Sequence, residues 1–129
     1  MNKIYVVGFI SDKKKVLLIK KNRPEWQKDK FNGIGGKVEW GEDSLAAMIR
    51  ETKEETGLEG LYWELIEKVV FSSGGILYIY KAITSTKTIE TYRSLTDEKV
   101  ELFSIDKLPK NIISDIKLVI EQQFSPRIN

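Results

Sequence analysis

Hydrophobic residues follow two kinds of spacing along the chain, one typical of strands and one typical of helices. The strand pattern accounts for more segments. Residues 3–10 and 16–20 are rich in Val, Ile and Leu on both alternating faces, which predicts two central strands covered on both sides. Further strands are expected at 61–71, 76–83 and 100–105. A turn at 72–75 would join two of them into a hairpin.

Two other segments have the spacing of amphipathic helices. The first runs from about Asp43 to Thr56, with Asp43 or Ser44 as N-cap and Gly57 as its C-terminal stop. The apolar positions of the second are Ile112, Ile113, Ile116, Val119, Ile120 and Phe124. Strands with helices between them predict a mixed sheet that helices cover on both faces.

Composition and charge describe an ordinary globular chain. With 129 residues, 41% hydrophobic and 31% charged, the chain is expected to fold as a single domain over 1–129. No apolar run approaches the roughly 20 residues of a membrane span, so we expect no membrane partner. A net charge of +2 with scattered lysines predicts no nucleic-acid partner. The start of the chain is typical of a strand and not of a signal peptide, and the absence of cysteine fits a cytoplasmic protein.

The chain contains neither cysteine nor histidine. This excludes disulfides, thiolate nucleophiles, histidine-based triads and zinc sites with His or Cys ligands. Catalysis must then depend on carboxylates, amines or hydroxyls. If a metal takes part, oxygen is the main ligand type that remains, which favours hard cations such as Mg²⁺, Mn²⁺ or Ca²⁺.

The first predicted helix has an apolar face and a separate acidic face. Helical spacing puts Glu51, Glu54 and Glu55 on one side, within reach of one divalent cation. A glycine-rich segment lies just upstream and Arg50 is adjacent. A merely solvated acidic face is the alternative, because like charges at this spacing cost only about 0.2–0.5 kcal/mol per pair. The residues expected to face the core are Leu45, Met48, Ile49, Thr52 and Thr56.

The residues around this helix match a known motif, G-x5-E-x7-R-E-U-x-E-E-x-G-U, in which U is a bulky apolar residue. Eight of its nine defined positions are present, and only Thr52 departs, at the first U. The segment from Gly36 to Leu58 therefore resembles the box of the Nudix hydrolases. The matching residues are Gly36, Glu42, Arg50, Glu51, Glu54, Glu55, Gly57 and Leu58.

The resemblance implies a Nudix α/β/α sandwich with a central mixed sheet, and metal-dependent hydrolysis of a nucleoside diphosphate linked to a further moiety. Mg²⁺ or Mn²⁺ is the implied cofactor. Its implied ligands are Glu51, Glu54, Glu55 and a backbone carbonyl at Gly35 or Gly36. Either Glu51 or Glu54 is implied to activate water, and Arg50 to orient the carboxylates.

Upstream of the box, residues 31–38 resemble the corresponding segment of MutT-type and oxidised-purine nucleoside triphosphatases. By that resemblance Asn32 contacts the base, and Lys37 binds phosphate or supports the box. From its position before glycine, Asn32 is equally typical of a turn residue.

Downstream of the box, residues 97–103 resemble the stretch of the same enzymes that carries an extra metal-binding glutamate. Glu98 is the candidate, with Glu101 as the alternative. Asp115 is a candidate base reader by loose alignment, or simply a carboxylate favoured at a helix N-terminus.

These features predict a pyrophosphohydrolase of nucleoside triphosphates, with oxidised purine nucleotides as one candidate substrate. Hydrolysis of ADP-ribose or dinucleoside polyphosphates is the alternative within the same chemistry. A non-catalytic nucleotide-sensing module is the alternative outside it, although such a module has no need for all three box glutamates. The expected partner is a small-molecule nucleotide, bound by a monomer or a homodimer.

Overall fold

A computed structural model describes residues 3–124, which form a mixed sheet between helices. The strands are β1 (Ile4–Ser11), β2 (Lys15–Lys20), β3 (Phe31–Asn32), β4 (Ile34–Lys37), β5 (Glu64–Val70), β6 (Ile76–Ile83) and β7 (Val100–Ser104). The helices are α1 (Ser44–Thr56), α2 (Thr86–Ile89) and α3 (Ser114–Phe124), with 3-10 turns at Glu25–Gln27 and Ile105–Lys107. Among residues 3–124, no helix is long and apolar enough to cross a membrane.

Strand β1 lies at the centre of the sheet. It runs parallel to β6 and antiparallel to β4, and the order across the sheet is β3-β2-β1-β6-β5. Strand β7 pairs with β2 in antiparallel register, from Lys15↔Ser104 to Ile19↔Val100. The two strands predicted as central are β1 and β2, and their buried residues on both faces confirm that prediction.

Side chains of the central strands point alternately to the two faces of the sheet, and each face carries a hydrophobic core. The core on the α1 face includes Val6, Ile10, Leu17, Ile19, Ile34, Met48 and Val100. The core on the α3 face includes Val7, Phe9, Val16, Leu18, Ile116, Ile120 and Phe124. One sheet with helices on both faces is the predicted α/β/α sandwich, and the fold-class prediction is confirmed.

Helix α1 begins and ends at the predicted residues. The Asp43 side chain accepts a hydrogen bond from the Ala46 N–H at 2.8 Å, which caps the N-terminus. At the other end Gly57 has a left-handed backbone with φ +78°, which glycine adopts without steric cost.

The predicted core face of α1 is partly wrong. Leu45 and Ile49 are 42% and 49% exposed, whereas Glu55 is buried. The helix is turned so that Glu55 lies against β4, where Gly35 and Gly36 have no side chains to hold it away. Close packing on a glycine strand therefore decides the orientation in place of the apolar pattern.

Several element boundaries also differ from the prediction. The glycine-rich segment upstream of α1, for which no strand was predicted, forms β3 and β4, because its backbone pairs with β2 and β1. Strand β5 begins at Glu64 and not at residue 61, and the short α2 was not predicted. Ile112 fits the apolar spacing of the second predicted helix, but it lies before α3. Its backbone forms an isolated bridge with Phe31.

Candidate active site

Arg50 connects the acidic residues of α1 to β4, the strand that carries Gly35 and Gly36 and is called the glycine strand below. Its guanidinium donates to Glu42 at 2.7 and 3.1 Å, to Glu51 at 2.9 Å and to Glu54 at 3.3 Å. It also donates to the Lys37 carbonyl at 3.0 Å. The hydrogen bond to Glu42 is the main cause that raises the pKa of Arg50 above its already high value, so the group stays charged. Arg50 thereby bonds to three box carboxylates, those of Glu42, Glu51 and Glu54.

Glu51 and Glu55 form a close pair of carboxyl groups beneath this arginine. Glu55 is only 5% exposed, and its Oε1 accepts a hydrogen bond from the Gly35 N–H at 3.1 Å. Burial, and next the charge of Glu51, raise the pKa of Glu55 to about 8. Burial also raises the pKa of Glu51, although the Arg50 hydrogen bond opposes the rise. Ionising both carboxyl groups at once is therefore unfavourable.

The glycines of β4 make this close packing possible. A Cβ at Gly36 would lie 2.6 Å from Glu51 Oε1, closer than a Cβ approaches other atoms in proteins. A Cβ at Gly35 would overlap the backbone carbonyl of Val6 in the neighbouring β1. The glycines therefore leave room for carboxyl groups directly on the sheet.

Glu98 is brought to the same region from a distant part of the sequence. Its buried carboxylate accepts from Lys21 Nζ at 3.1 Å and from the Asn22 N–H at 2.6 Å. Its charge contributes to the raised pKa of Glu55, after the larger effects of burial and Glu51. The rival Glu101, on β7, instead pairs with the surface residue Lys99 just before that strand. The structure thus places Glu98 near the acidic pair.

The segment before Glu98 is attached to the end of α1. The N–H groups of Arg93 and Leu95 donate to the carbonyls of Thr56 and Glu55, at 2.9 and 3.1 Å. These bonds satisfy carbonyls that a helix C-terminus leaves free. They also fix the loop that carries Glu98 to the helix that carries the box.

The carboxylates are suited to a hard divalent cation, but they do not yet surround one point. Within residues 3–124, no three acidic side chains are grouped closely enough to hold one ion. Glu54 is 55% exposed, and its carboxylate pairs with Arg50 at 3.3 Å. Mg²⁺ nevertheless prefers oxygen ligands. The site offers the carboxyl oxygens of Glu51 and Glu55, which lie against the backbone of Gly35 and Gly36. The carboxylates of this site therefore fit a divalent cation such as Mg²⁺ or Mn²⁺.

The buried acidic pair predicts a pH-dependent stability of the metal-free protein. Folding raises the pKa of Glu55 from 4.5 to about 8, so its stabilising contribution is full below 4.5 and is lost as pH rises toward 8. We expect the Tm in chelator to fall by several degrees between pH 5 and 8, and Glu55→Gln to reduce this slope. Thermal unfolding across that range measures it. A slope that is the same in both proteins would contradict the assignment to Glu55.

Asn32 uses only part of its hydrogen-bonding capacity. Its Oδ1 accepts from the Gly33 N–H at 2.7 Å, and its Nδ2 donates to Gln27 Oε1 at 3.2 Å. One N–H and one lone pair of the amide are left. Asn32 therefore stabilises the local backbone, as a turn residue does, and can still contact a ligand.

A cavity of about 380 Å³ opens at the N-terminal end of α3. Its position follows from the backbone of Phe31, which bonds to the Asn111 carbonyl and the Ile113 N–H at 2.9 and 3.1 Å. The cavity thus brings the candidate Asp115 and the aromatic Trp26, from distant segments, to one place. Its lining residues are Trp26, Lys30, Lys110, Asn111, Ile112, Ile113, Ser114 and Asp115.

The sequence reasoning missed Lys21, Asn22 and Gln27, which hold Glu98 and Asn32 in place. Each acts through a contact that depends on strand register or loop shape, and no local motif marks it. Lys37 was assigned to phosphate binding or box support. Its carbonyl supports the box by accepting from Arg50, and its side chain is exposed.

Comparison with known proteins agrees with this geometry. A NUDIX domain model matches residues 1–123, and the chain therefore belongs to the Nudix family. No curated protein matches the chain significantly.

Solved structures of Nudix proteins share the fold. A MutT NUDIX hydrolase from Burkholderia pseudomallei is 24% identical, with a TM-score of 0.78 over 95% of this chain and 98% of that one. A NUDIX family hydrolase from Clostridium perfringens is 24% identical, with a TM-score of 0.72 over 92% of this chain and 93% of that one. A MutT protein from Bacillus halodurans is 22% identical, with a TM-score of 0.70 over 96% of this chain and 83% of that one.

Family membership defines the reaction class. Nudix hydrolases act on phosphoanhydride bonds of small nucleotide substrates and generally need a divalent metal. This chain is such a hydrolase.

Proposed function

We propose that this hydrolase is a Mg²⁺- or Mn²⁺-dependent pyrophosphohydrolase of nucleoside triphosphates. One observation carries the proposal: Glu51 and Glu55 are packed as a crowded pair on the glycine strand, with Glu98 close to them. Carboxyl groups so placed repel each other unless they are protonated or share a cation. A polyanionic substrate needs the same cation, because its phosphates otherwise repel both the carboxylates and the attacking water.

The proposed metal ligands are Glu51, Glu54, Glu55, Glu98 and the backbone carbonyl of Gly36. The cation supplies charge neutralisation of the phosphates and a more acidic water. Glu51 or Glu54 accepts the proton from the water that attacks phosphorus. Arg50 keeps these two carboxylates directed at the site through its bonds at 2.9 and 3.3 Å.

The base is proposed to bind between the 3-10 turn at Glu25–Gln27 and the start of α3. Trp26 supplies an exposed aromatic surface for stacking, and Asp115 a carboxylate that accepts from a base N–H. Asn32 contributes its free N–H and lone pair. Lys37 lies at the end of β4, within the box, where its exposed side chain can meet a phosphate. Purine nucleotides, including oxidised ones, present the larger face and more polar edge that such a site favours.

A screen for release of phosphate or pyrophosphate tests the proposed function. The substrates are dGTP, 8-oxo-dGTP, dATP, dCTP, dUTP, ADP-ribose and a dinucleoside polyphosphate, each with Mg²⁺, with Mn²⁺ and with excess chelator. We expect metal-dependent turnover with the highest kcat/KM on a purine nucleoside triphosphate. Full turnover in chelator would refute the metal assignment. A clear preference for ADP-ribose or dinucleoside polyphosphates would replace the proposed substrate class, and turnover of none would favour a sensing module.

The role of Asn32 predicts a change in base preference. A site built to hydrogen-bond a base discriminates strongly, because the wrong base leaves buried polar groups unpaired. Asn32→Ala should therefore lower kcat/KM for the best purine by about tenfold, and much less for the poorest substrate. Steady-state kinetics on the five deoxynucleotides measure this. Equal losses on all of them would show that Asn32 only stabilises the turn.

A further inference from the structure

Lys21 is a largely buried cation at the edge of the acidic region. Its side chain is 16% exposed, and that of its partner Glu98 is 7% exposed. The pairing follows from the sheet: extending the β2–β7 register Ile19↔Val100 by two residues puts Lys21 opposite Glu98. Because alternate residues share a face, Lys21 points to the α1 side, like Ile19.

The ammonium of Lys21 acts on more than its direct partner. Burial and the charge of Glu51 raise the pKa of Glu55, and the charge of Lys21 is the largest effect that opposes them. Lys21 therefore lies within electrostatic range of both Glu98 and Glu55. Arg50 balances Glu51 and Glu54 on the other side of the same region.

We propose that Lys21 is an internal counter-ion: in the metal-free protein it balances Glu98, and a divalent cation at this carboxylate must compete with its charge. The inference rests on the proposed metal site. It goes beyond that site by assigning Lys21 a role in setting metal affinity.

The sign of this effect follows from the other contacts of Glu98. The Asn22 N–H holds the Glu98 carboxylate at 2.6 Å independently of Lys21. Removing the ammonium therefore removes a positive charge without releasing the carboxylate. The remaining negative charge attracts a divalent cation more strongly, and partly buried charges are little screened by salt.

Mn²⁺ titration of the chelator-stripped protein, followed by the EPR signal of free Mn²⁺, tests the inference. We expect Lys21→Met to bind Mn²⁺ at least about tenfold more tightly than wild type. Lys21→Arg keeps the charge and should keep the wild-type affinity. Lys99→Met is the matched control, because Lys99 pairs with Glu101 at 3.0 Å on the surface and is 69% exposed.

Thermal unfolding separates this role from a purely structural one. Lys21→Met leaves Glu98 with only the longer contact to Arg23, at 3.9 Å, so the Tm in chelator should fall, while the Tm gained on adding Mn²⁺ should exceed that of wild type. A structural lysine would lower the Tm and leave the Mn²⁺ affinity unchanged. If Lys21→Met does not fold, Lys21→Gln removes the same charge and retains an amide that can donate to Glu98.

Unchanged or weaker Mn²⁺ binding in the neutral variants overturns the inference, as does a wild-type protein that binds no Mn²⁺. The outcome is distinguishable from a failure of the proposed function. Nucleotide turnover combined with unchanged Mn²⁺ affinity in Lys21→Met rejects only the counter-ion role. Tighter Mn²⁺ binding combined with no turnover of any nucleotide rejects only the proposed function.

Discussion

Glu51→Gln and Glu54→Gln are each expected to keep the fold and to lower kcat by about 10²–10⁴-fold. Glutamine has nearly the shape of glutamate but carries no charge, so it is a poor ligand for a hard cation and cannot accept the proton from water. Glu51 is the more constrained of the two, because it lies against Gly36 and Arg50. Glu54 is half exposed, so its substitution should disturb the fold less.

Glu59→Gln is the matched control for both variants. Glu59 lies just beyond α1, and its exposed carboxylate pairs with Lys53 at 2.8 Å, away from the glycine strand. Its loss should leave kcat within about twofold of wild type, as expected for an exposed ion pair. Circular dichroism and thermal unfolding check that all three variants fold. If folded Glu51→Gln and Glu54→Gln retain most of the wild-type kcat, the reaction occurs elsewhere on the molecule.

The box could be predicted from the sequence because its chemistry is local. Helical spacing alone places Glu51, Glu54 and Glu55 on one side, and the caps Asp43 and Gly57 act within one turn of the helix ends. The central strands were equally visible, since strands buried on both faces have long apolar runs. Each of these predictions depends only on neighbours in the sequence.

The details of the site depend on contacts that local patterns do not contain. The burial of Glu55 follows from the close approach of α1 to β4, which also exposes Leu45 and Ile49. Amphipathic spacing predicts the opposite, because it assumes that the apolar side of a helix faces the sheet. A carboxylate is buried here because the sheet offers it an N–H at Gly35.

Long-range register explains why Lys21 was missed. Lys21 and Glu98 are far apart in the sequence and meet only because β2 and β7 pair in one register. A shift by a single residue would turn the side chain to the other face of the sheet. In the same way, the cavity between Trp26 and Asp115 exists only because the β3 backbone bonds to the segment before α3.

The glycine strand provides a test that leaves every proposed side-chain ligand unchanged. A Cβ at Gly36 would lie 2.6 Å from Glu51 Oε1 and 2.7 Å from its carboxyl carbon. These atoms are the end of a flexible side chain, so Gly36→Ala should displace the carboxylate while β4 keeps its pairing with β1. Gly75→Ala is the control, because its Cβ would meet the Lys3 carbonyl at an ordinary 3.5 Å in the β5–β6 turn.

Gly36→Ala is therefore expected to lower kcat by about 10²-fold, since displacement of a reacting group by about 1 Å has a cost of that size. Mn²⁺ affinity should fall as well, because Glu51 can no longer lie beside Glu55. The Tm should change little, and Gly75→Ala should match wild type in kcat and Mn²⁺ affinity. Steady-state kinetics, Mn²⁺ titration and thermal unfolding of the two variants measure these effects. A Gly36→Ala protein with wild-type kcat would show that the position of Glu51 against the glycine strand does not matter for catalysis, whereas a large fall in Tm would show that Gly36 acts through the fold.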